Sequence, residues 1–209
     1  MIPQLKRLVV LLVLLLSGCA QHPHKVFTPL ISQNWPQHQA QVQAISSWKA
    51  TGKLAVKTPD DGGSVTLRWQ QQNAEYHIDL NGPFGQGNMS IEGAPGHVTF
   101  SGGDKPSQSA KTAEELLLKN TGWNIPLTQL AYWVRGLPDP STKLSHFTPN
   151  AQGLIGELEQ AGWKISYGDY INTQSSSEVI AMPSRITAEY NKEIRLTLLI
   201  RAWQLGDAP

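Results

Sequence analysis

The chain has 209 residues, 40% of them hydrophobic, a formal net charge of +1 and a single cysteine. That length is enough for one well-filled core. Near-neutral charge with no basic block excludes nucleic acid as an expected partner, and a lone cysteine excludes an internal disulfide, so the fold rests on its core alone.

Lys6 and Arg7 precede an unbroken apolar run from Leu8 to Leu16, and Ser17, Gly18 and Cys19 follow it. A basic start, a short apolar segment and a small-residue cleavage site make a secretory signal. The run is well short of the roughly twenty residues that span a bilayer as a helix. Because the cysteine stands directly after the small pair, Leu15-Leu16-Ser17-Gly18-Cys19 resembles a bacterial lipobox. On that reading residues 1–18 are removed and Cys19 is the lipidation site, diacylated on its thiol and acylated on its new amino terminus. Each buried methylene contributes roughly 0.8 kcal/mol, and two or more chains anchor stably. Residues 19–34 are polar, interrupted by Pro23 and Pro29, and lack a period, so they read as a flexible tether. His22 and His24 lie on this tail without cysteine or carboxylate partners, and no metal is expected there. Residues 35–209 are then expected to form a single domain.

That domain opens with a helical pattern over 35–48, with Pro36 in its first turn and Val42, Ile45 and Trp48 available for one face. Strands follow. Leu54 and Val56 alternate with Lys53 and Lys57; after a turn at Pro59-Asp60-Asp61-Gly62-Gly63, Val65, Leu67 and Trp69 alternate with Thr66 and Arg68. Tyr76, Ile78 and Leu80, then Met89 and Ile91, then Val98 and Phe100 continue the pattern between glycine-rich turns. Period two at short intervals predicts an antiparallel meander with one wet face. Within it, Asn81-Gly82-Pro83-Phe84-Gly85 has the chemistry of a tight loop. Phe84 falls where a polar residue is usual. It either folds back onto the core or forms an exposed apolar finger.

Two helices come next. Thr112-Ala113-Glu114-Glu115 is a capping box and Gly122 a stop signal. Pro126 opens the second, in which Leu127, Leu130, Ala131 and Val134 share a face before Gly136 and Pro138. Leu117, Tyr132 and Trp133 make the pair more apolar than one buried face requires, which suits a cap over the concave side of the sheet. Strands then return at Gly162-Trp163-Lys164-Ile165-Ser166-Tyr167, at Ile186, Ala188 and Tyr190, and from Ile194 to Ile200 ahead of Trp203.

Taken in order, the lipobox at Cys19, the Gly82-Pro83-Phe84-Gly85 loop, Ile125-Pro126-Leu127 through Trp133 to Gly136-Leu137-Pro138, Gly162 to Tyr167 and Met182-Pro183-Ser184-Arg185-Ile186 resemble the LolB family of Gram-negative outer-membrane lipoprotein receptors. The resemblance covers essentially the whole chain. It implies a mainly β, α+β fold: an incomplete antiparallel β-barrel with a helical lid over an apolar cavity. It also implies an activity, which is taking acylated lipoprotein cargo from the periplasmic carrier LolA and placing it in outer-membrane lipid. The family commonly carries Leu in its exposed loop, where Phe84 stands here as the membrane-insertion residue. Ala20 rather than Asp after Cys19 resembles the sorting pattern of outer-membrane lipoproteins.

The residues support such a role on their own terms. An acyl chain of about sixteen carbons costs on the order of 10 kcal/mol to leave in water. Candidates to line a cavity for it are Leu54, Val56, Val65, Leu67, Trp69, Ile78, Leu117, Trp133, Trp163 and Tyr167. No glycine-rich phosphate loop occurs, so no nucleotide or other cofactor is expected and transfer should run downhill. Against an enzyme, Gly-x-Ser-x-Gly does not occur and His38, His77, His97 and His146 are scattered. A scaffold lipoprotein of an outer-membrane assembly complex stays open as the alternative. A one-to-one handover suits a monomer.

Overall fold

The computed structural model describes residues 34–82, 87–102 and 105–206, so Cys19, the tether before residue 34 and Phe84 lie outside the described residues. Helix α1 (Trp35–Gln43) carries Pro36 in its first turn, where a missing N–H costs nothing. It stops before the helical pattern does. Trp48, expected on the helix, belongs instead to strand β1 (Ser47–Lys57). There its ring packs between Trp69 and Trp203, at 5.3 and 5.5 Å between centroids. Aromatic contacts with both neighbouring strands outweigh a local helical period.

After β1 the chain runs through β2 (Gly62–Gln72), β3 (Glu75–Asn81), β4 (Met89–Ala94), β5 (His97–Gly102) and β6 (Lys105–Ala110). Helices α2 (Ala113–Thr121) and α3 (Leu127–Trp133) come next, then β7 (Leu144–Pro149), β8 (Ile155–Gln160), β9 (Trp163–Gln174), β10 (Val179–Tyr190) and β11 (Ile194–Leu205). All the strands form one 11-stranded sheet in the order β6-β5-β4-β3-β2-β1-β11-β10-β9-β8-β7. The first and last strands in sequence meet in its middle, where Val56 faces Leu196 and Ala50 faces Trp203. Among the described residues β6 and β7 are the two free edges, so the barrel is incomplete, as expected.

Three strands have little sequence signal. β6 reads Lys-Pro-Ser-Gln-Ser-Ala and is an edge, where proline and polar residues are tolerated because one side needs no partner. β7 is mostly exposed, and β8 pairs against it. β10 reaches back past Pro183 because the register with β9 shifts beside that residue, which absorbs the missing N–H. The freed Pro183 carbonyl lies near the core and accepts the Trp203 indole N–H at 2.8 Å.

Alternation decides what the sheet encloses. Leu67 and Trp69, Ile78 and Leu80, Val98 and Phe100, and Leu196, Leu198 and Ile200 are buried, whereas Arg68, Lys53 and Lys57 between them are exposed. Curvature comes partly from an irregularity in β1, where the register with β11 slips between Thr51 and Gly52. A Cβ added at Gly52 would run into the Leu199 carbonyl oxygen, so only glycine allows this approach. The two lid helices follow their sequence signals: Thr112 Oγ1 accepts the Glu115 N–H at 3.3 Å, and Gly122 ends α2 in the left-handed region at φ 76°.

Candidate functional site

Between the first half of the sheet and the lid lies a cavity of about 230 Å³. Its floor is built by alternate residues of neighbouring strands: Leu54 and Val56 of β1, Val65, Leu67 and Trp69 of β2, Ile78 and Leu80 of β3. Met89 and Ile91 of β4, Phe100 of β5, and Leu196 and Leu198 of β11 extend it. Strict period two puts all of these on one face. The roof is Leu117 of α2, Trp123 and Ile125 of the connector, and Leu127 and Leu130 of α3.

Among the described residues no charged side chain touches this wall. Its polar side chains are Ser64, exposed at the rim, and Thr121. The Thr121 hydroxyl donates to the Leu117 carbonyl at 2.6 Å and accepts the Trp123 N–H at 3.1 Å, so it is spent on the lid's own backbone. A ligand meets only hydrocarbon and aromatic rings. The chemistry on offer is solvation of an apolar molecule; nothing on the wall can move a proton or coordinate a metal. Among the described residues no three His, Cys, Asp or Glu side chains gather as metal ligands, and no helix is long and apolar enough to cross a membrane.

Of the residues expected to line a cavity, Leu54, Val56, Val65, Leu67, Trp69, Ile78 and Leu117 lie on this wall, and Trp133, Trp163 and Tyr167 do not. For Trp133 and Tyr167 the placement has a polar cause. The Trp133 indole N–H donates to Gln160 Oε1 at 3.0 Å, and the Tyr167 hydroxyl donates to the Trp133 carbonyl at 2.9 Å. Trp163 packs between Trp133, at 6.1 Å, and Tyr190, at 5.5 Å. Rings whose N–H and O–H must find partners when buried form a solid core under the second half of the sheet. Gln160 is its hub. Besides the indole it accepts the Asp139 N–H at 2.9 Å and donates to the Asp139 and Thr142 carbonyls at 2.9 and 2.7 Å. The chain leaving the lid is thereby clamped to β8. The Asp139 carboxyl responds to burial, which raises its pKa, but hydrogen bonds from Thr142 and Ser141 outweigh that and hold it below its ordinary value.

Sequence reasoning did not single out Leu80, Met89, Ile91, Phe100, Trp123, Ile125, Leu127, Leu130, Leu196 or Leu198 as cavity wall. Most carry the same alternation as the residues it did name, and that was the available signal. The segment 83–86, with Phe84, lies outside the described residues, but the residues at its two ends do not. Leu80 and Met89 face each other in the β3–β4 register, and both line the cavity. The strands that flank that segment therefore reach the cavity wall.

An open antiparallel sheet with helices over an apolar cavity has counterparts among solved structures. A LolA superfamily protein from Nitrosomonas europaea superposes with a TM-score of 0.52 at 10% identity, over 85% of this chain and 96% of its own. A DUF1329 family protein from Desulfovibrio piger reaches 0.55 at 7% identity, over 81% and 89%. Sequence goes further. The family model described as outer membrane lipoprotein LolB matches residues 46–203. An outer-membrane lipoprotein LolB from Cellvibrio japonicus is 45% identical over 204 residues, 96% of this chain and 98% of that protein. One from Pseudomonas savastanoi pv. phaseolicola is 33% identical over 195 residues, 92% of each. The chain belongs to the LolB family.

Proposed function

We propose that this chain is an outer-membrane lipoprotein, anchored through Cys19, that accepts acylated lipoproteins from the periplasmic carrier LolA and inserts them into the outer membrane without hydrolysing nucleotide. The names of its relatives support the membrane and the class; the observation that carries the rest is a largely apolar cavity whose described wall has no charged side chain and includes Leu80 and Met89, on the two strands that flank the segment bearing Phe84. In this reading residues 1–18 are the signal, residues 19–34 the tether, and residues 35–209 the working domain.

Size sets the order of events. An engineered apolar cavity of about 150 Å³ in another protein takes up benzene. At about 230 Å³ this one holds a stretch of a single acyl chain with the lid down. Loading a whole lipoprotein anchor requires α2 and α3 to lift. Each methylene then buried contributes about 0.8 kcal/mol, enough to draw chains from a weaker site and little enough that a bilayer can take them on.

The test is a transfer assay. LolA loaded with an acylated lipoprotein is mixed with the Cys19-less domain, and then with liposomes. Movement of cargo onto the domain without nucleotide, and from it into lipid, is the expected result. A folded domain that takes up no cargo overturns the reading and leaves a scaffold lipoprotein in its place.

A further inference from the structure

A second cavity, of about 500 Å³, opens at the other end of the same strands. The apolar cavity lies by Val56 and Gly63, which pair at one end of β1 and β2, while this one lies by Trp48 and Gln71, which pair at the other. Trp69 and Leu127 line both. Leu127 belongs to α3, so a lid that lifts joins the two into one cleft, apolar at one end and carrying polar and charged side chains among apolar ones at the other.

The polar end is organised by Arg135. Its Nε donates to the Ala131 carbonyl at 3.1 Å and its Nη1 to the Ile45 carbonyl at 3.2 Å. The guanidinium lies 5.5 Å from the Tyr132 ring centre and 5.9 Å from that of Trp48. A guanidinium has five N–H groups. Among the described residues no carboxylate pairs with Arg135 and no further acceptor uses those that remain. A nearby carboxylate is already engaged: Glu114 Oε1 accepts both the N–H and the hydroxyl of Thr128, at 2.9 and 3.0 Å. A cation fixed by backbone carbonyls and aromatic faces, three-sided and without a counter-ion, is preorganised for an acceptor that arrives with a ligand.

We propose that this groove receives the glyceryl-ester and peptide end of an acylated cargo whose chains lie past Trp69 in the apolar cavity. The proposal rests on the function given above and adds the cargo's orientation. Ester and amide carbonyls are uncharged acceptors, which Arg135 can serve without an ion pair that would have to be broken at release. Cargo held this way points its chain ends at the end of the barrel that carries the β1–β2 and β10–β11 turns, and its peptide leaves by the opposite end. The chains then enter the bilayer first.

Ala74 on the groove rim and Ser64 on the rim of the apolar cavity are both exposed, and a photo-crosslinking residue placed at either leaves the core untouched. In cells making the full-length chain, the Ala74 position is expected to capture lipoprotein residues that directly follow the acylated cysteine, and the Ser64 position is not. Capture of those residues at Ser64 and not at Ala74 overturns the proposal. So does capture at neither, and the transfer assay then shows whether the proposed function falls with it. As a second measurement, Arg135→Gln is expected to weaken binding of a diacylglyceryl-cysteine peptide about tenfold while a bare alkyl probe binds as before. Equal losses for both ligands, or none, count against the groove.

Discussion

His38 is fully buried in α1, neither ring nitrogen has a hydrogen-bond partner among the described residues, and burial lowers its pKa from 6.5 to about 4. The folded ring is therefore neutral where the unfolded one takes a proton. Stability falls as pH drops from about 6.5 towards 4, by about 3 kcal/mol in all, and this contribution levels off below that window. Asp139 acts lower: its depressed pKa supports the fold above the ordinary carboxylate value and that support is lost as pH falls further. Denaturation midpoints between pH 7.5 and 4.5 isolate the histidine, and His38→Leu is expected to flatten their slope. An unchanged slope in that variant assigns the dependence elsewhere. Gly52 is a second single-residue test. Gly52→Ala drives a Cβ into the Leu199 carbonyl and is expected to cost about 2 kcal/mol or more. Gly63→Ala, where an added Cβ meets nothing within 4 Å, is the control.

At the scale of elements, the lid has one fixed end and one internal tie. Gln160 clamps the chain that leaves α3 through four hydrogen bonds, whereas α2 and α3 are joined through Glu114 and Thr128. The clamp is buried and the tie is exposed, so the lid should hinge at its α3 end and move as a pair. Glu114→Ala removes the tie. Amide exchange at Thr128 is expected to accelerate while amides of β8 keep their protection; unchanged exchange at Thr128 means that packing alone couples the helices. The helices themselves were legible because their ends are local. A threonine at the N-cap and a glycine past the C-terminus act on neighbouring backbone groups and need no tertiary context.

For the whole molecule, the proposed function requires a cavity that opens towards lipid. Phe84→Glu is expected to leave cargo uptake from the carrier unchanged and to slow delivery into liposomes several-fold, because a carboxylate resists entering the interface. Equal delivery rates for the two proteins remove the loop from the mechanism. The sheet places this loop well. Successive hairpins put the β1–β2 turn, the β3–β4 loop and the β10–β11 turn at one end, and the β2–β3 and β4–β5 turns at the other.

Alternation alone determined that Leu67, Trp69, Ile78, Leu80, Val98 and Phe100 share a face; the caps determined the first short lid helix, and Pro126 with an apolar face at helical spacing the second. The basic start, apolar run and lone cysteine determined the expected export and anchor. Only the tertiary structure decided that Leu196 and Leu198 border a void while Trp133 and Tyr167 join a hydrogen-bonded core, and that Trp48 joins a strand. The reason is physical. Periodicity reports which side of an element is apolar, whereas a cavity is the gap between two elements, set by how closely lid and sheet approach. That distance depends on partners far apart in sequence: a Gln160 under Trp133, a Trp203 beside Trp48, a glycine that lets β11 close on β1.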